Sequence, residues 1–404
     1  MGDWTNPDGR VKLLHGDCMI RMEEIPSNSI DAIVTDPPYG LAFMGKDWDD
    51  ISTVKLFHHK WAVHALRVLK PGGHILSCGG TRTYHRMVVA LEDVGFGIRD
   101  CVLWLYGSGF PKSQDIAKAI DKRLGAKRDV LGTQSGPGYA KANVDQGAQN
   151  RDTMEWDKVS SEPVSDQAKE WEGWGTALKP AVEPICLARK PLKEKTIARN
   201  ILSYGTGGLN IDASRVGDGT GETRTVQYPD MRGDNYQQGK ESYADRGKVE
   251  YTSVDKGRYP ANVILDEEAA QLLDAQGKHT QSRRDILTSK PGQIYGGGDG
   301  LPSFTGVYGF DDSGGPSRFF YTAKASVSER KGSNHPTIKP LALMKYLVTL
   351  ITPPGGTVLD PFAGSGTTLE AAYQLGFSAI GIEMDIENLT TIIRRHEQMA
   401  MRLE

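Results

Sequence analysis

The stretch "IDAIVTDPPYG", Ile30 to Gly40, sets a carboxylate, two prolines and an aromatic ring directly behind an apolar run. Proline has no N–H to give a β ladder, so the strand predicted by the run must end at Asp36. Asp36, Pro37, Pro38 and Tyr39 suit one kind of chemistry. An amino group on an aromatic base is a poor nucleophile, because its lone pair is delocalised into the ring. Two acceptors on its two N–H bonds favour a tetrahedral nitrogen and free that pair to take a methyl group. Asp36 Oδ can be one acceptor and the Pro37 carbonyl the other. The bond to the carboxylate is charge-assisted and contributes about 1.5–3 kcal/mol net. The prolines stiffen the loop, so both acceptors are preorganised. Tyr39 can stack on the base for about 1–3 kcal/mol, which offsets part of the cost of drawing a base out of a duplex. No covalent nucleophile is required. No Pro-Cys dipeptide occurs, which argues against methylation at cytosine carbon 5 through a thiolate. Taken alone, the tetrapeptide fits a rigid turn with an aromatic plug equally well.

A second constellation lies near the other end. "VLDPFAGSGTTLEAA" reads as a strand, a glycine-rich turn and a helix start. Gly364 and Gly366 let a ligand approach the backbone, and the helix N-terminus offers free N–H groups. No GK[ST] follows, so this is not a triphosphate-cradling loop. Glu383 ends the next strand, "FSAIGIE", about 20 residues past Gly364, where a carboxylate can hold ribose hydroxyls. The pattern implies a nucleoside ligand; the alternative is a tight strand–helix turn that binds nothing. Asp17, in "LLHGDC", falls at the same sheet edge. It can accept from the exocyclic amine of an adenine or cap the helix "CMIRMEEI".

These residues need a sheet to hold them. "VKLLHGD", "IDAIVTD", "HILSCGG" and "IRDCVLWLYG" read as strands. "STVKLFHHKWAVHALRVL", with Ser52 as N-cap and "KPGG" as its stop, reads as a helix, as does "TRTYHRMVVALEDVG". After Gly332 the alternation resumes, with "TIKPLALMKYLVTLI" and "TTLEAAYQLG" as helices and "GGTVLD" and "FSAIGIE" as strands. Strands alternating with helices predict an α/β sheet, mostly parallel and covered on both faces. Neither end has enough strands alone, so both are expected to share one sheet. The middle, from Gly107 to Lys331, is rich in Gly, Ser, Gln and charge. Three of its stretches, "GTQSGPGYAKANVDQGAQNRD", "VGDGTGETRTVQYPDMRGDNYQQGK" and "KPGQIYGGGDGLPSFTG", read as long loops. Two others, "VEPICLARK" (182–190), followed by the helix "EKTIARNILSYG", and "RFFYTAK" (318–324), read as strands returning to the core.

Composition excludes several classes. The chain has 404 residues, 38% hydrophobic and 25% charged, ample for a core without disulfides. A net charge of −3 leaves nucleic-acid binding to local basic patches such as "KAIDKRLGAKRD", "LARKPLKEKTIARN" and "SERKGSNH". The four cysteines, Cys18, Cys78, Cys101 and Cys186, show no metal-ligand spacing, so reduced thiols and no metal site are expected. No signal peptide or membrane-length apolar run is visible, so a cytoplasmic protein with no membrane contact is expected.

Together the motifs resemble the S-adenosylmethionine-dependent DNA amino-methyltransferases of the β arrangement. The resemblance is carried by "LLHGDC", "SNSIDAIVTDPPYG", "LKPGGHIL", "EPICLARKPL", "HPTIKP" and "VLDPFAGSGTT…GFSAIGIE". It implies a Rossmann-like methyltransferase sheet with helices on both faces, circularly permuted, with an inserted target-recognition region. Residues 1–107 would be the catalytic half, 108–330 the inserted region and 331–404 the cofactor half. The cofactor would be S-adenosylmethionine and the partner double-stranded DNA, with a homodimer expected. Asp36 and the Pro37 carbonyl would bind the target amine, with Pro38 stiffening the turn and Tyr39 stacking on the flipped base. Asp360, Pro361, Phe362, Ala363, Gly364, Ser365 and Gly366, leading into Thr367 and Thr368, would wrap the methionine part of the cofactor. Glu383 would hold its ribose, and Asp17 with the Cys18 backbone its adenine. Thr337, Lys339 and Pro340 would line the methionine end. Asp at the first motif position resembles the adenine-N6 members, while cytosine N4 stays open. A DNA-binding regulator that has lost the chemistry, and methylation of RNA or of a protein amide, are the other readings. Arg, Asn, Gln and Tyr in "TRTVQYPDMRGDNYQQ" can read base edges or lie in surface loops.

Overall fold

The computed structural model describes residues 2–40, 54–107, 109, 113–137, 153–159, 162–217, 223–229, 248–254, 256–281, 285–288, 305–308, 313–323 and 339–400. Its centre is one ten-stranded sheet. Along the chain the strands are β1 (Trp4–Thr5), β2 (Val11–His15), β3 (Ile30–Thr35), β4 (Leu69–Cys78) and β5 (Gly97–Leu105). The remaining five are β6 (Val182–Arg189), β7 (Val263–Asp266), β8 (Tyr321–Ala323), β9 (Thr357–Asp360) and β10 (Ser378–Glu383). Their order across the sheet is β1-β2-β10-β9-β3-β4-β6-β5-β7-β8. Both ends of the chain therefore build one α/β sheet, with β9 paired directly to β3. All pairs are parallel except β1 with β2, and β6 with its neighbours β4 and β5.

β3 is buried along its whole length because it has a strand on each side and helices above and below. Ala32 and Val34 join one apolar cluster with the helices Leu341–Ile351, Thr367–Gln374 and Ile386–Ala400. Ile30 and Ile33 join the other, with Met22, Trp61, Ala65, Met87 and Leu91 from Cys18–Glu23, Val54–Val68 and Tyr84–Asp93. Asp31 is the one charge in this strand. Its carboxylate takes Lys70 Nζ at 2.6 Å and the Thr357 N–H at 2.9 Å, tying β3 to β4 and β9.

Several elements differ from the sequence expectations. The helix after β3 ends at Val68, and "KPGG" is already inside β4; Ser52 lies outside the described residues. "RFFYTAK" is a strand only over Tyr321–Ala323. Pro316–Phe319 forms a 3₁₀ turn instead, with Pro316 in its first turn and Arg318 Nη1 donating to the Gly314 and Gly315 carbonyls. β7 falls in a stretch with no strand reading. All three supposed loops run into a strand whose partner lies outside the loop: Val130–Pro137 pairs with Thr153–Val159, Thr223–Pro229 with Lys248–Val254, and Thr305–Tyr308 with Asp285–Thr288. In "TIKPLALMKYLVTLI" the helix starts at Leu341, because Pro340 is extended (ψ 135°).

Ser108–Ala181 forms a compact unit of its own, and residues 1–107 and 182–404 form the other. The smaller unit is organised around Asp121, whose carboxylate accepts from Arg128 Nε, the Val164 and Ser165 N–H groups and Ser165 Oγ. Among the described residues, no helix is long and apolar enough to cross a membrane.

Asp31→Ala removes a charge-assisted bond and orphans the Thr357 N–H. It is expected to lower stability by about 2 kcal/mol, read as a shift in the urea unfolding midpoint.

Candidate active site

The carboxyl ends of β3 and β9 lie side by side, where ligands sit in open α/β sheets. Thr35, the last residue of β3, donates its hydroxyl to Asp360 Oδ1, the last residue of β9, at 2.7 Å. Asp360 Oδ1 also takes the Phe362 N–H at 3.1 Å, which turns the chain into the glycine loop. Burial pushes the Asp360 carboxyl up to about 6, against the hydrogen bonds from Thr368, Thr35 and Phe362.

One residue beyond Thr35, the Asp36 carboxylate has both oxygens engaged. Tyr39 OH donates to Oδ1 at 2.6 Å and Lys339 Nζ to Oδ2 at 2.6 Å. Lys339 Nζ also reaches Tyr39 OH at 3.2 Å and Glu183 Oε2 at 3.2 Å. The extended turn at Pro340 aims Lys339 inward, and its side chain is 7% exposed. Burial pushes the Lys339 ammonium down, but the carboxylates of Asp36 and Glu183, with the Tyr39 hydroxyl beside them, outweigh it and hold it well above the ordinary lysine value. Burial raises the Tyr39 phenol, and the Asp36 charge adds to this. Lys339, expected at the methionine end of a cofactor, thus places its ammonium on Asp36. Pro340 is the N-cap of the following helix, and Thr337 lies outside the described residues. Pro37 is buried and Pro38 partly so.

The glycine loop is held from below. Glu383 Oε2 accepts the Gly364 N–H at 2.7 Å, and Oε1 accepts the Asp385 N–H at 2.7 Å. Burial raises the Glu383 carboxyl above its ordinary value. A carboxylate offers about four lone-pair sites, so capacity remains for ligand hydroxyls. Gly366 sits at φ +79°, and a Cβ there would meet Ile392 Cγ1 at 2.7 Å. The helix Thr367–Gln374 that it opens has no side-chain cap, leaving its first N–H groups to a ligand. Ser365 Oγ and Thr367 Oγ1 are 3.0 Å apart; Thr367 and Thr368 are buried. Phe362 packs on Phe57 and Trp61 beside Pro361, and the Ala363 N–H donates to the Ile382 carbonyl at 2.9 Å. Asp17 Oδ1 caps the helix Cys18–Glu23 through the Met19 N–H at 2.7 Å. The cradle suits a nucleoside with a flexible polar tail.

The model of the DNA methylase family of N6 and N4 amino-methyltransferases matches residues 30–394. The chain belongs to this family. Type II methyltransferase M.HindIII of Haemophilus influenzae is 23% identical over 412 residues, which cover 92% of this chain and 90% of that protein. Type II methyltransferase M.HpaI of Haemophilus parainfluenzae is 33% identical over 120 residues, 28% of this chain and 37% of its own. The solved M1.HpyAVI–SAM complex covers 95% of the methylase and 99% of its own chain, at 15% identity and TM-score 0.39. The cytosine-N4-specific PvuII DNA methyltransferase covers 97% and 89%, at 14% identity and TM-score 0.44.

One member of the methylase's site had no role from the sequence. Glu183 lies in the quoted "EPICLARK", but nothing local places it by Asp36. The signal is strand direction. β6 is antiparallel, so its start, not its end, lies at the carboxyl edge.

Asp360→Asn tests the buried carboxyl. A carboxyl raised to about 6 by folding contributes stability that is present below the unfolded value and lost as pH rises through about 6. The variant lacks this loss. Relative to the native chain, it is expected to gain up to about 3 kcal/mol between pH 4 and pH 7, read from unfolding midpoints at both values.

Proposed function

We propose that the chain methylates the N6 amino group of an adenine flipped out of double-stranded DNA. One observation carries this reading: a half-buried carboxylate, Asp36, fixed one strand away from the glycine cradle with an aromatic ring bonded to it. S-adenosylmethionine supplies the methyl group as an electrophilic sulfonium. Asp360 through Gly366 with Thr367 and Thr368 hold its methionine part, Glu383 its ribose, and Asp17 with the Cys18 backbone its adenine.

The protein's own residues prepare the nucleophile. The target amine donates one N–H to Asp36 and the other to the Pro37 carbonyl, freeing its lone pair. Lys339 and the Tyr39 hydroxyl hold the Asp36 carboxylate in place, so no reorganisation of it is required when the amine arrives. Tyr39 stacks on the base, offsetting part of the unstacking cost. A base inside a duplex cannot reach a carboxylate at this depth, which supports flipping. Asp rather than Ser at position 36 supports adenine. The compact unit 108–181 and the paired strands within 223–254 lie outside the sheet and are assigned to DNA recognition.

Digestion of DNA treated with the protein and S-adenosylmethionine, followed by mass analysis of the nucleosides, tests the reading. N6-methyladenine is expected. N4-methylcytosine alone would move the base assignment to cytosine, and no methylated base on varied DNA would leave a regulator.

A further inference from the structure

Glu183 has no part in the reading above. Its Oε2 stands 3.2 Å from Lys339 Nζ and has no hydrogen-bond partner among the described residues. Lys339 Nζ is in turn 2.6 Å from Asp36 Oδ2. Asp36, Lys339 and Glu183 therefore form a line leading from the carboxylate at the amine to one that is away from it.

Methyl transfer to an amino nitrogen leaves a cationic nitrogen with one proton too many. Asp36 meets that proton first, but with an ammonium against it Asp36 is a weak resting place for it. We propose that Glu183 is the terminal proton acceptor of the methyl-transfer cycle, reached through Lys339. The nitrogen's proton passes to Asp36. Lys339 gives one of its protons to Glu183 Oε2 and takes the proton from Asp36. One N–H bond of the base breaks and one O–H bond forms on Glu183, while Asp36 and Lys339 return to their starting states. Oε2 itself is buried, so Glu183 loses the proton to solvent after its carboxyl rotates toward the part of the side chain that keeps 19% of its exposure.

The electrostatics favour Glu183 as the acceptor, while the firmly held Lys339 proton requires Lys339 to take the Asp36 proton as it gives up its own. Burial raises the Glu183 carboxyl above its ordinary value; Lys339 works against this and Asp36 adds to it. The other titratable groups facing it are Tyr39, Cys78 at the end of β4, and Tyr106 just past β5. Burial raises all three, so they stay neutral near pH 7, and Lys339 and Asp36 are the charged neighbours. Glu183 must be ionised to accept, so turnover falls as pH drops through its raised value. Glu183 touches neither base nor cofactor, so it is a positioning residue for the proton. The proposal rests on Asp36 being the amine's acceptor.

The test uses the full chain with S-adenosylmethionine and unmethylated DNA, comparing Glu183→Gln and Asp36→Ala with the native protein. Glu183→Gln is expected to lower kcat by about 100-fold. KM for DNA and cofactor affinity by calorimetry should stay within about threefold. The acid limb of the kcat–pH profile should vanish, and Glu183→Asp should restore it in part. Native kcat in Glu183→Gln, or an unchanged acid limb on its residual activity, overturns the relay. If Asp36→Ala is inactive in that case, only the relay fails; if it turns over at the native rate, the reading of Asp36 fails too. If Glu183→Gln loses cofactor affinity through misfolding, Glu183→Asp decides: a lowered kcat with a shifted acid limb supports the relay, and native kcat with an unshifted limb overturns it.

Discussion

The site depends on the pairing of β3 with β9. Ala32 pairs with Val358 and Ile33 with Leu359. That register brings Thr35 and Asp360 to the same level, where the hydroxyl of one bonds the carboxylate of the other across 325 residues of chain. Each strand then releases its motif at the same edge, Asp36-Pro37-Pro38-Tyr39 from one and the glycine loop from the other. A shift of one residue would turn every side chain of β3 to the opposite face. The continuous apolar burial on both faces of β3 makes that shift costly. Loop-closure entropy grows only slowly with length, so the intervening chain does not prevent the two ends from meeting.

The second constraint is that buried charge must be paired. Asp36, Lys339 and Glu183 place two carboxylates around one ammonium, with the Tyr39 hydroxyl bridging. Removing one partner from such a cluster strands the others and is far costlier than never having built it. The cluster holds Asp36 where an incoming amine must find it. It also explains why the chain turns at Pro340: the extended backbone there delivers Lys339 inward before the helix begins.

Much of this was legible in the sequence. The Asp-Pro-Pro stop, the glycine turn and the acid after it are local signals. So is the strand–helix alternation at both ends, and each is where the sequence placed it. What was missed needs information that no local window holds. Glu183 becomes a neighbour of Asp36 only once β6 is known to run antiparallel between β4 and β5. β7 is four residues long, too short for its alternation to show although Pro260 and Asn262 precede it. Val130–Pro137 is polar and glycine-containing, and Thr223–Pro229 is polar and follows a glycine-rich run, so both read as loops although their backbones pair. The capping role of Asp17 was one of two local readings, and its bond to the Met19 N–H is in place.

The most direct test of this account is a crystal structure with S-adenosylmethionine bound. The cofactor is expected along the turn from Asp360 to Gly366, with its ribose at Glu383 and its methyl group facing the side of the cleft where Asp36 stands. A cofactor seated elsewhere, or seated there with its methyl group turned away from Asp36, would contradict it.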